Sequence, residues 1–362
     1  MRETRSSVGF TEKVKVWLTP MRPLKSTRRR MLLCAAGVAA AASVLAACGG
    51  DDGPTLHVYS GRHYDVEKAF EQFEKETGIN VEFLTGNDGE LRERIVAEGE
   101  DTEADVYLTV DAGNLAAAAE QGIFQRLDSQ LLIDAIPEQY RDPQNRWFAL
   151  ALRARTIVYN SERISEDEVP TTYAALADPE WKDRVCMRNA NNSYQQSLVA
   201  SMIAHEGEDA TLEILRGWAR NAKIFANDIE LLDAMAAGAC DVGVANHYYL
   251  ARKIEENPDF PVKLIWAEQD TRGVHVNISG GGVTRYADNP DLARQFLEWL
   301  ATDGQGVLVH SNHEYPANPA VPADDLIAER FGTDFVQDTV LAAEYGLLNP
   351  DAVRLMDEAD FG

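Results

Sequence analysis

Four tyrosines and one histidine stand at loop positions of this 362-residue chain, directly after short strand-like or polar runs. They are His63, Tyr64, Tyr194, Tyr248 and Tyr249. A phenolate is a hard anionic oxygen donor, but a free tyrosine with a pKa near ~10 stays protonated at neutral pH. A trivalent hard ion such as Fe(III) displaces such protons better than zinc, which prefers thiolate and imidazole, or calcium, which prefers carboxylates and carbonyls. These side chains therefore indicate a candidate ferric site, although the alternative for two adjacent aromatics is one core and one rim residue.

Three arginines are candidates to support such a site. Four phenolates and a neutral imidazole would exceed the charge of a trivalent ion by one negative charge. Nearby guanidinium groups would offset that charge and hydrogen-bond the phenolate oxygens. The candidates are Arg62, Arg153 and Arg155. For each of them a surface ion pair with one of the many acidic residues is the alternative role.

The segments around these residues predict two α/β lobes. Between residues 56 and 110 the order is strand, helix, strand, helix, strand, with apolar residues at helical spacing from Val66 to Phe73. This order predicts a mainly parallel sheet with helices on both faces, whose ligands bind where strand ends meet loops. A second set of strand-like segments follows at 148–152, 156–160, 184–188 and 241–246, with helical segments at 194–205 and 210–222 and from 290 onward, including most of 334–357.

Charge is distributed unevenly along the chain. The whole sequence has 34 Lys and Arg against 59 Asp and Glu, a net charge of −25. Residues 1–47 hold nine of the basic residues and two of the acidic ones, which leaves a net charge of −32 from Cys48 onward. So acidic a chain repels phosphate backbones, and we therefore expect no nucleic-acid partner.

The basic N-terminus is typical of an export signal. Arg28, Arg29 and Arg30 precede an Ala-rich apolar run that is shorter than the ~20 residues needed to span a bilayer. The run ends in Leu-Ala-Ala-Cys48, which resembles the cleavage site of a lipoprotein. We expect a removable signal over 1–47, exported by the Sec or the twin-arginine route, and a tether over 48–54. The mature protein would be periplasmic or in the cell envelope, lipid-anchored at Cys48.

Two cysteines, Cys186 and Cys240, remain in the mature domain. A disulfide suits an oxidising compartment, and two buried thiols are the alternative, because spacing alone does not place the Cα atoms within bonding reach.

From about Leu56 to the C-terminus, the chain resembles the ferric-iron-binding periplasmic proteins of bacterial ABC transporters. The matching stretches, in order, are VYSGRHYD (58–65), FEKETGINVEF (73–83), ADVYLTVD (104–111), RARTIVYN (153–160), NNSYQQSLVAS (191–201), ANHYYLAR (245–252) and HEYPANP (313–319). The resemblance implies the two-lobed type II periplasmic-binding-protein fold, with a ligand cleft between the lobes. The first lobe would comprise 55–152 and 280–330 and the second 153–279, with C-terminal helices over 331–362 packing back.

The resemblance also assigns ligands. Tyr194, Tyr248 and Tyr249 would bind iron from the second lobe, and His63 and Tyr64 from the first. One branch of the family uses a first-lobe glutamate and a bound anion instead, and that glutamate falls here at Val110. The neighbouring Asp111 would point to the opposite face of its strand. The chain is therefore similar to the tyrosine-rich branch, which resembles the cyanobacterial iron-binding proteins and depends less on a synergistic anion.

The function implied is a monomeric, non-enzymatic solute-binding protein that captures Fe(III) and delivers it to an ABC permease. The lobes would close about hinge strands near 150–156 and 276–284. The alternatives are the same fold binding an organic cation such as a polyamine, held by cation–π contacts, or a small phosphonate. An exported hydrolase or oxidase is a further alternative, and it would need an open metal position or a nucleophile–base pair.

Overall fold

The computed structural model describes residues 53–62 and 66–362 of the chain. The export signal predicted over 1–47, the lipidation site predicted at Cys48, and the ligands His63 and Tyr64 lie outside the described residues. Across the part that is described, no helix has the length and apolar character needed to cross a membrane.

The described residues form an α/β arrangement of strands and helices. The strands are β1 (Thr55–Ser60), β2 (Asn80–Thr85), β3 (Val106–Thr109), β4 (Phe148–Asn160), β5 (Val185–Arg188), β6 (Ala222–Phe225), β7 (Val242–Asn246), β8 (Val262–Ile265), β9 (Val276–Val283) and β10 (Tyr315–Pro316). The helices are α1 (Val66–Thr77), α2 (Asp88–Glu98), α3 (Ala112–Glu120), α4 (Gln130–Ala135), α5 (Ser193–Glu206), α6 (Glu208–Asn221), α7 (Asp228–Ala236), α8 (His247–Glu256), α9 (Pro290–Leu300), α10 (Gln305–His310), α11 (Asp325–Arg330), α12 (Ala342–Leu347) and α13 (Asn349–Glu358). Short 3₁₀ turns lie at Gly99–Asp101, Glu138–Tyr140, Glu166–Glu168, Ala174–Ala177 and Pro179–Trp181.

The strands join in the order β2-β1-β3-β9-β4-β7-β5-β6, with β8 and β10 also paired to β4. The long strand β4 connects two half-sheets, because residues 148–154 pair with β9 and residues 155–159 pair with β7. Each half-sheet and the helices packed on it form one lobe of the expected two-lobed α/β fold. Helix α12 packs on α3 of the first lobe and α13 on α5 and α6 of the second, so the C-terminal segment contacts both lobes.

Parallel pairing is limited to the outer strands of each half-sheet. β1 runs parallel to β2 and β3, and β5 runs parallel to β6 and β7. In the centre, β9 is antiparallel to β3 and β4, and β4 is antiparallel to β7. The parallel pairing predicted from the order of residues 56–110 is confirmed for β1, β2 and β3. The centre of the sheet is antiparallel, because β4 and β9 carry the chain between the lobes in opposite directions rather than through a helical crossover.

Two smaller sequence predictions also differ from the structure. The strand-like runs at 148–152 and 156–160 form one continuous strand, because the intervening Arg153, Ala154 and Arg155 are buried and pair like their neighbours. Most of 334–357 is helical as predicted, but the helical part begins only at α12, because the segment before it pairs with the approach to β9 through Val274 and Gln337.

The second lobe is cross-linked near the predicted ligands. Cys186 in β5 and Cys240, two residues before β7, form a disulfide. Because β5 leads to α5 and β7 leads directly to α8, the bond ties together the two strands whose ends carry Tyr194 and Tyr248.

Candidate metal-binding site

A cavity of about 510 Å³ opens between the two lobes at the ends of their strands. Elements of both half-sheets and the bridging strand β4 contribute to its wall. The lining residues are Gly61, Arg62, Thr85, Gly86, Asn87, Asp88, Val110, Arg153, Arg188, Asn192, Ser193, Tyr194, Tyr248, Tyr249, Asn312 and Glu314.

Tyr248 and Tyr249 lie in the first turn of α8. The chain is extended at Asn246, where β7 ends, and becomes helical at His247, so both rings stand at the helix N-terminus. Their centroids are 4.2 Å apart, and the side chains are 1% and 7% exposed. The Asn246 side-chain amide donates to the Tyr248 hydroxyl at 3.4 Å. The positive end of the helix dipole favours negative charge at this position, which is the charge a phenolate would carry.

Tyr194 approaches the same cavity from α5. The Asn192 side chain caps this helix by accepting from the Tyr194 backbone N–H at 3.0 Å, which fixes the first turn and the ring it carries. The guanidinium of Arg153 lies 5.0 Å from the centre of the Tyr194 ring and that of Arg188 lies 5.6 Å from it. The structure thus brings together the three predicted tyrosines that it describes.

The paired phenols are held in their neutral form. Burial raises the pKa of Tyr248 well above its ordinary value, and Tyr194 and Tyr249 add to the shift while Arg153 opposes it. Burial also raises the pKa of Tyr249, with a further contribution from Tyr194. A ligand that binds these oxygens as phenolates must therefore displace both protons.

Two of the three predicted arginines line the cavity. Arg62 follows β1 and Arg153 projects from β4, and both are nearly inaccessible to solvent. Burial by itself lowers the pKa of Arg153, but Tyr194, Tyr248 and Glu314 more than offset this effect, and the pKa is raised. Arg153 is therefore a permanent cation beside the tyrosine oxygens.

Arg155 does not line the cavity. Its guanidinium is buried behind the first turns of α5 and α8, where it donates to Asp228 at 3.0 Å, to Asn246 at 3.2 Å and to Gln195 at 2.9 Å. Asn246 precedes α8 and Gln195 follows Tyr194 in the sequence. Arg155 thus fixes the starts of α5 and α8 relative to each other. The three tyrosines lie in the first turns of these helices rather than in the loops predicted from the sequence, because Asn192 and Asn246 already begin the helices.

Glu314 and Asp88 line the cavity and were not predicted from the sequence. The Glu314 carboxylate accepts a hydrogen bond from Arg62 and lies 3.8 Å from Nε of Arg153. Asp88 is the first residue of α2, and its carboxylate accepts from the Val110 N–H at 3.3 Å. Burial raises the pKa of Asp88 to about 6. Glu314 falls within a stretch used for the family resemblance, but nothing in that stretch signals its contact with arginines far away in the sequence.

A third unpredicted residue is Arg188, at the end of β5. It also lines the cavity, and it is ion-paired with the buried Asp228. Asp228 thereby joins the guanidinium of Arg188 to that of Arg155 behind the tyrosines.

The first-lobe strand end at residues 110–111 has the orientation predicted from the sequence. Val110 lines the cavity, whereas the buried Asp111 caps α3 and accepts from Asn114 N at 3.0 Å and Asn277 Nδ2 at 2.9 Å. Within residues 53–62 and 66–362, no group of three or more His, Cys, Asp or Glu side chains is arranged to hold a metal ion. In this part of the chain, Tyr194, Tyr248 and Tyr249 line the cavity together with the carboxylates of Asp88 and Glu314.

The chain is similar to known solute-binding proteins, several of which are named for iron. Residues 101–332 match the family described as bacterial extracellular solute-binding proteins. Iron uptake protein A1 of Synechocystis is 39% identical over 314 residues, covering 84% of this chain and 86% of its own. The Fe(3+)-binding periplasmic protein of Serratia marcescens is 32% identical over 286 residues, covering 75% of this chain and 84% of its own.

Solved structures agree with these sequence relatives. The Trichodesmium protein IdiA, or FutA, in complex with iron and citrate superposes with a TM-score of 0.80 at 38% identity, covering 85% of this chain and 100% of that one. The ferric binding protein of Campylobacter jejuni has a TM-score of 0.79 at 30% identity, covering 85% and 100%. The chain therefore belongs to the bacterial extracellular solute-binding proteins, and within them it is similar to the ferric-iron-binding proteins, cyanobacterial members included.

Proposed function

We propose that this protein captures ferric iron in the cavity between its lobes and delivers it to an ABC permease for iron uptake. The observation that carries the proposal is the convergence of Tyr194, Tyr248 and Tyr249 beside buried arginines. Relatives named for iron uptake and ferric iron binding, over most of the chain, support it.

The chemistry of capture follows from the charge on the metal. A trivalent cation is a strong enough local charge to replace the protons of neutral phenols, and binding therefore releases protons. Arg153 remains charged beside the resulting phenolates and offsets part of their negative charge. The same arginine sits over the Tyr194 ring, so it also holds that ligand in place.

The first lobe would complete the coordination sphere. The proposed ligands His63 and Tyr64 follow Arg62, whose side chain already lines the cavity. Closure of the lobes about β4 and β9, the two strands that cross between them, would bring these residues toward the tyrosines of α5 and α8. The lobes would then comprise 55–152 with 280–330, and 153–279. The permease can distinguish the loaded protein because capture changes the shape of the protein.

Several further assignments belong to this proposal. Export through the signal over 1–47 and acylation of Cys48 would tether the protein to a membrane in the cell envelope. We expect a monomer that carries iron as cargo and performs no reaction on it. Arg62 and Arg153 would offset the negative charge of the ligands, and Arg155 would support the ligands by holding the starts of α5 and α8.

The test is a visible absorption spectrum of iron-free protein titrated with ferric iron. We expect a phenolate-to-iron charge-transfer band, which the double variant Tyr248→Phe Tyr249→Phe loses or greatly weakens. Tyr286→Phe is the matched control, because Tyr286 is 41% exposed and does not line the cavity. A colourless wild-type protein would contradict the proposal and favour an organic cation or a phosphonate. An undiminished band in the double variant would show that the ligands are misassigned.

A further inference from the structure

A buried cluster of two arginines and one glutamate forms part of the cavity wall. Arg62, Arg153 and Glu314 all line the cavity, yet each is only 2–3% exposed. One carboxylate oxygen of Glu314 accepts from Arg62, and the other lies 3.8 Å from Nε of Arg153. The carboxylate therefore lies between two guanidinium groups of like charge.

The two arginines are fixed independently of Glu314. Arg62 Nη2 donates to the Leu308 carbonyl at 2.7 Å, and Arg153 Nη2 donates to the Ile278 carbonyl at 2.6 Å. Within the described residues, Nε of each arginine is buried without a hydrogen-bond partner. If the carboxylate were removed, two buried cations would remain beside the space it had occupied, and Arg62 Nη1 would lose its acceptor there. Uncompensated buried charge is strongly unfavourable, so that space would attract an anion.

The cluster is coupled to the proposed iron ligands through Arg153. Its guanidinium lies 5.0 Å from the Tyr194 ring centre. Tyr194, Tyr248 and Glu314 all raise the pKa of Arg153 and so favour its charged form. A negative charge at the Glu314 position therefore offsets part of the positive charge of Arg153. It thereby sets how much of that positive charge acts on the phenolates. The Glu314 carboxylate and the phenolates thus interact with the same cation, Arg153.

We propose that Glu314 is a built-in counter-anion of the metal site. Its carboxylate occupies the place between Arg62 and Arg153 that a free carboxylate or carbonate would otherwise take, so that iron binding requires no added anion. Glu314 is thus a positioning residue, because it acts on the metal ligands through Arg153. This inference rests on the proposed function, since it concerns the same cavity loaded with ferric iron.

The experiment compares iron binding with and without a small anion. Iron-free wild type, Glu314→Gln and Glu314→Ala are loaded with ferrous chloride oxidised by air, in a carbonate-free, non-coordinating buffer. The charge-transfer band is then followed before and after addition of acetate or bicarbonate. Glu255→Gln is the matched control, because this glutamate contacts His313, next to Glu314 in the sequence, and its side chain is 65% exposed.

We expect the wild type and Glu255→Gln to show the same band and affinity with or without the anion. Without it, the two Glu314 variants should bind iron about 10–100-fold more weakly, the loss typical when a supporting partner of a ligand is removed. Acetate or bicarbonate should restore most of that loss. Circular dichroism checks that each variant is folded, and the isosteric glutamine keeps the test available if the alanine variant fails to fold.

Three results would overturn the inference while leaving the proposed function standing. They are a wild-type band that strengthens or shifts with acetate or bicarbonate, Glu314 variants that bind like wild type without an anion, and a loss that neither anion restores. A wild-type band that responds to either anion overturns the inference even if neither variant folds. Absence of a band in every protein, wild type included, would instead contradict the proposed function.

Discussion

Iron capture should depend steeply on pH, because Tyr248 and Tyr249 must lose protons that the empty protein retains. Both phenols have a raised pKa and are neutral in the unloaded site, whereas in the proposed iron complex they are phenolates. Each displaced proton makes the affinity rise tenfold per pH unit. Two such protons give a hundredfold rise, about 2.7 kcal/mol per pH unit. Acid therefore favours release of iron and alkali favours its retention.

The Tyr249→Phe variant isolates one of these protons. It removes one titrating oxygen but keeps the ring that packs 4.2 Å from Tyr248. We expect the variant to release about one proton fewer per iron than wild type, and the pH dependence of its affinity to fall by about tenfold per pH unit. The measurement is calorimetric titration with one iron solution in buffers of different ionisation enthalpy. Hydrolysis of the iron itself then cancels between the two proteins.

Tyr286→Phe again serves as the control, because it removes a phenol outside the cavity and should release as many protons as wild type. Equal proton release by wild type and Tyr249→Phe would refute the reasoning. It would mean that the Tyr249 oxygen does not bind the metal as a phenolate, or that it is already deprotonated in the empty site.

Three further variants test the residues that support the site. Arg155→Met should lower the free energy of unfolding by about 1.5–3 kcal/mol in urea titrations, because the fully buried Asp228 loses one of its two guanidinium partners and keeps Arg188. The Cys186→Ser Cys240→Ser double variant should lose about 4 kcal/mol, the loop-entropy value for a separation of 54 residues, in the same assay. Gly61→Ala should lower the free energy of unfolding by about 1–3 kcal/mol, because its Cβ would lie 1.7 Å from an Asp88 carboxylate oxygen. Adding Asp88→Ala to that variant should restore much of the lost stability, measured as the melting temperature.

The positions of the tyrosines at the ends of strands were predictable, because they depend on patterns in the neighbouring sequence. Short apolar runs marked the ends of β7 and of the segment before α5, and the carboxyl ends of parallel strands meet at one edge of a sheet. Tyr194 and Tyr248 therefore had to face a common space once two lobes were predicted. The antiparallel centre was not predictable in the same way, because buried runs such as β4 look alike whichever direction they take.

The charged groups of the wall were harder to predict, because their contacts join distant parts of the chain. Glu314 lies 252 residues from its partner Arg62, and no local pattern indicates that pairing. Arg153 and Arg155 share a face of β4, since side chains alternate along a strand, and the sequence therefore suggested similar roles for them. The two residues are about 6.6 Å apart along the strand, which places Arg153 in the cavity wall and Arg155 behind the first turns of α5 and α8. Their hydrogen-bond partners therefore differ completely.

Protonated tyrosines also explain how such a site would select its cargo. Even at the ordinary tyrosine pKa of ~10, deprotonation at pH 7 costs about 4 kcal/mol for each phenol, and burial of Tyr248 and Tyr249 increases that cost. A divalent ion gains less from each phenolate than a trivalent ion does and faces the same proton cost. The buried guanidinium of Arg153 repels any cation that arrives before the protons leave. Selectivity for a trivalent ion therefore follows from keeping the ligands neutral until a sufficiently strong charge displaces their protons.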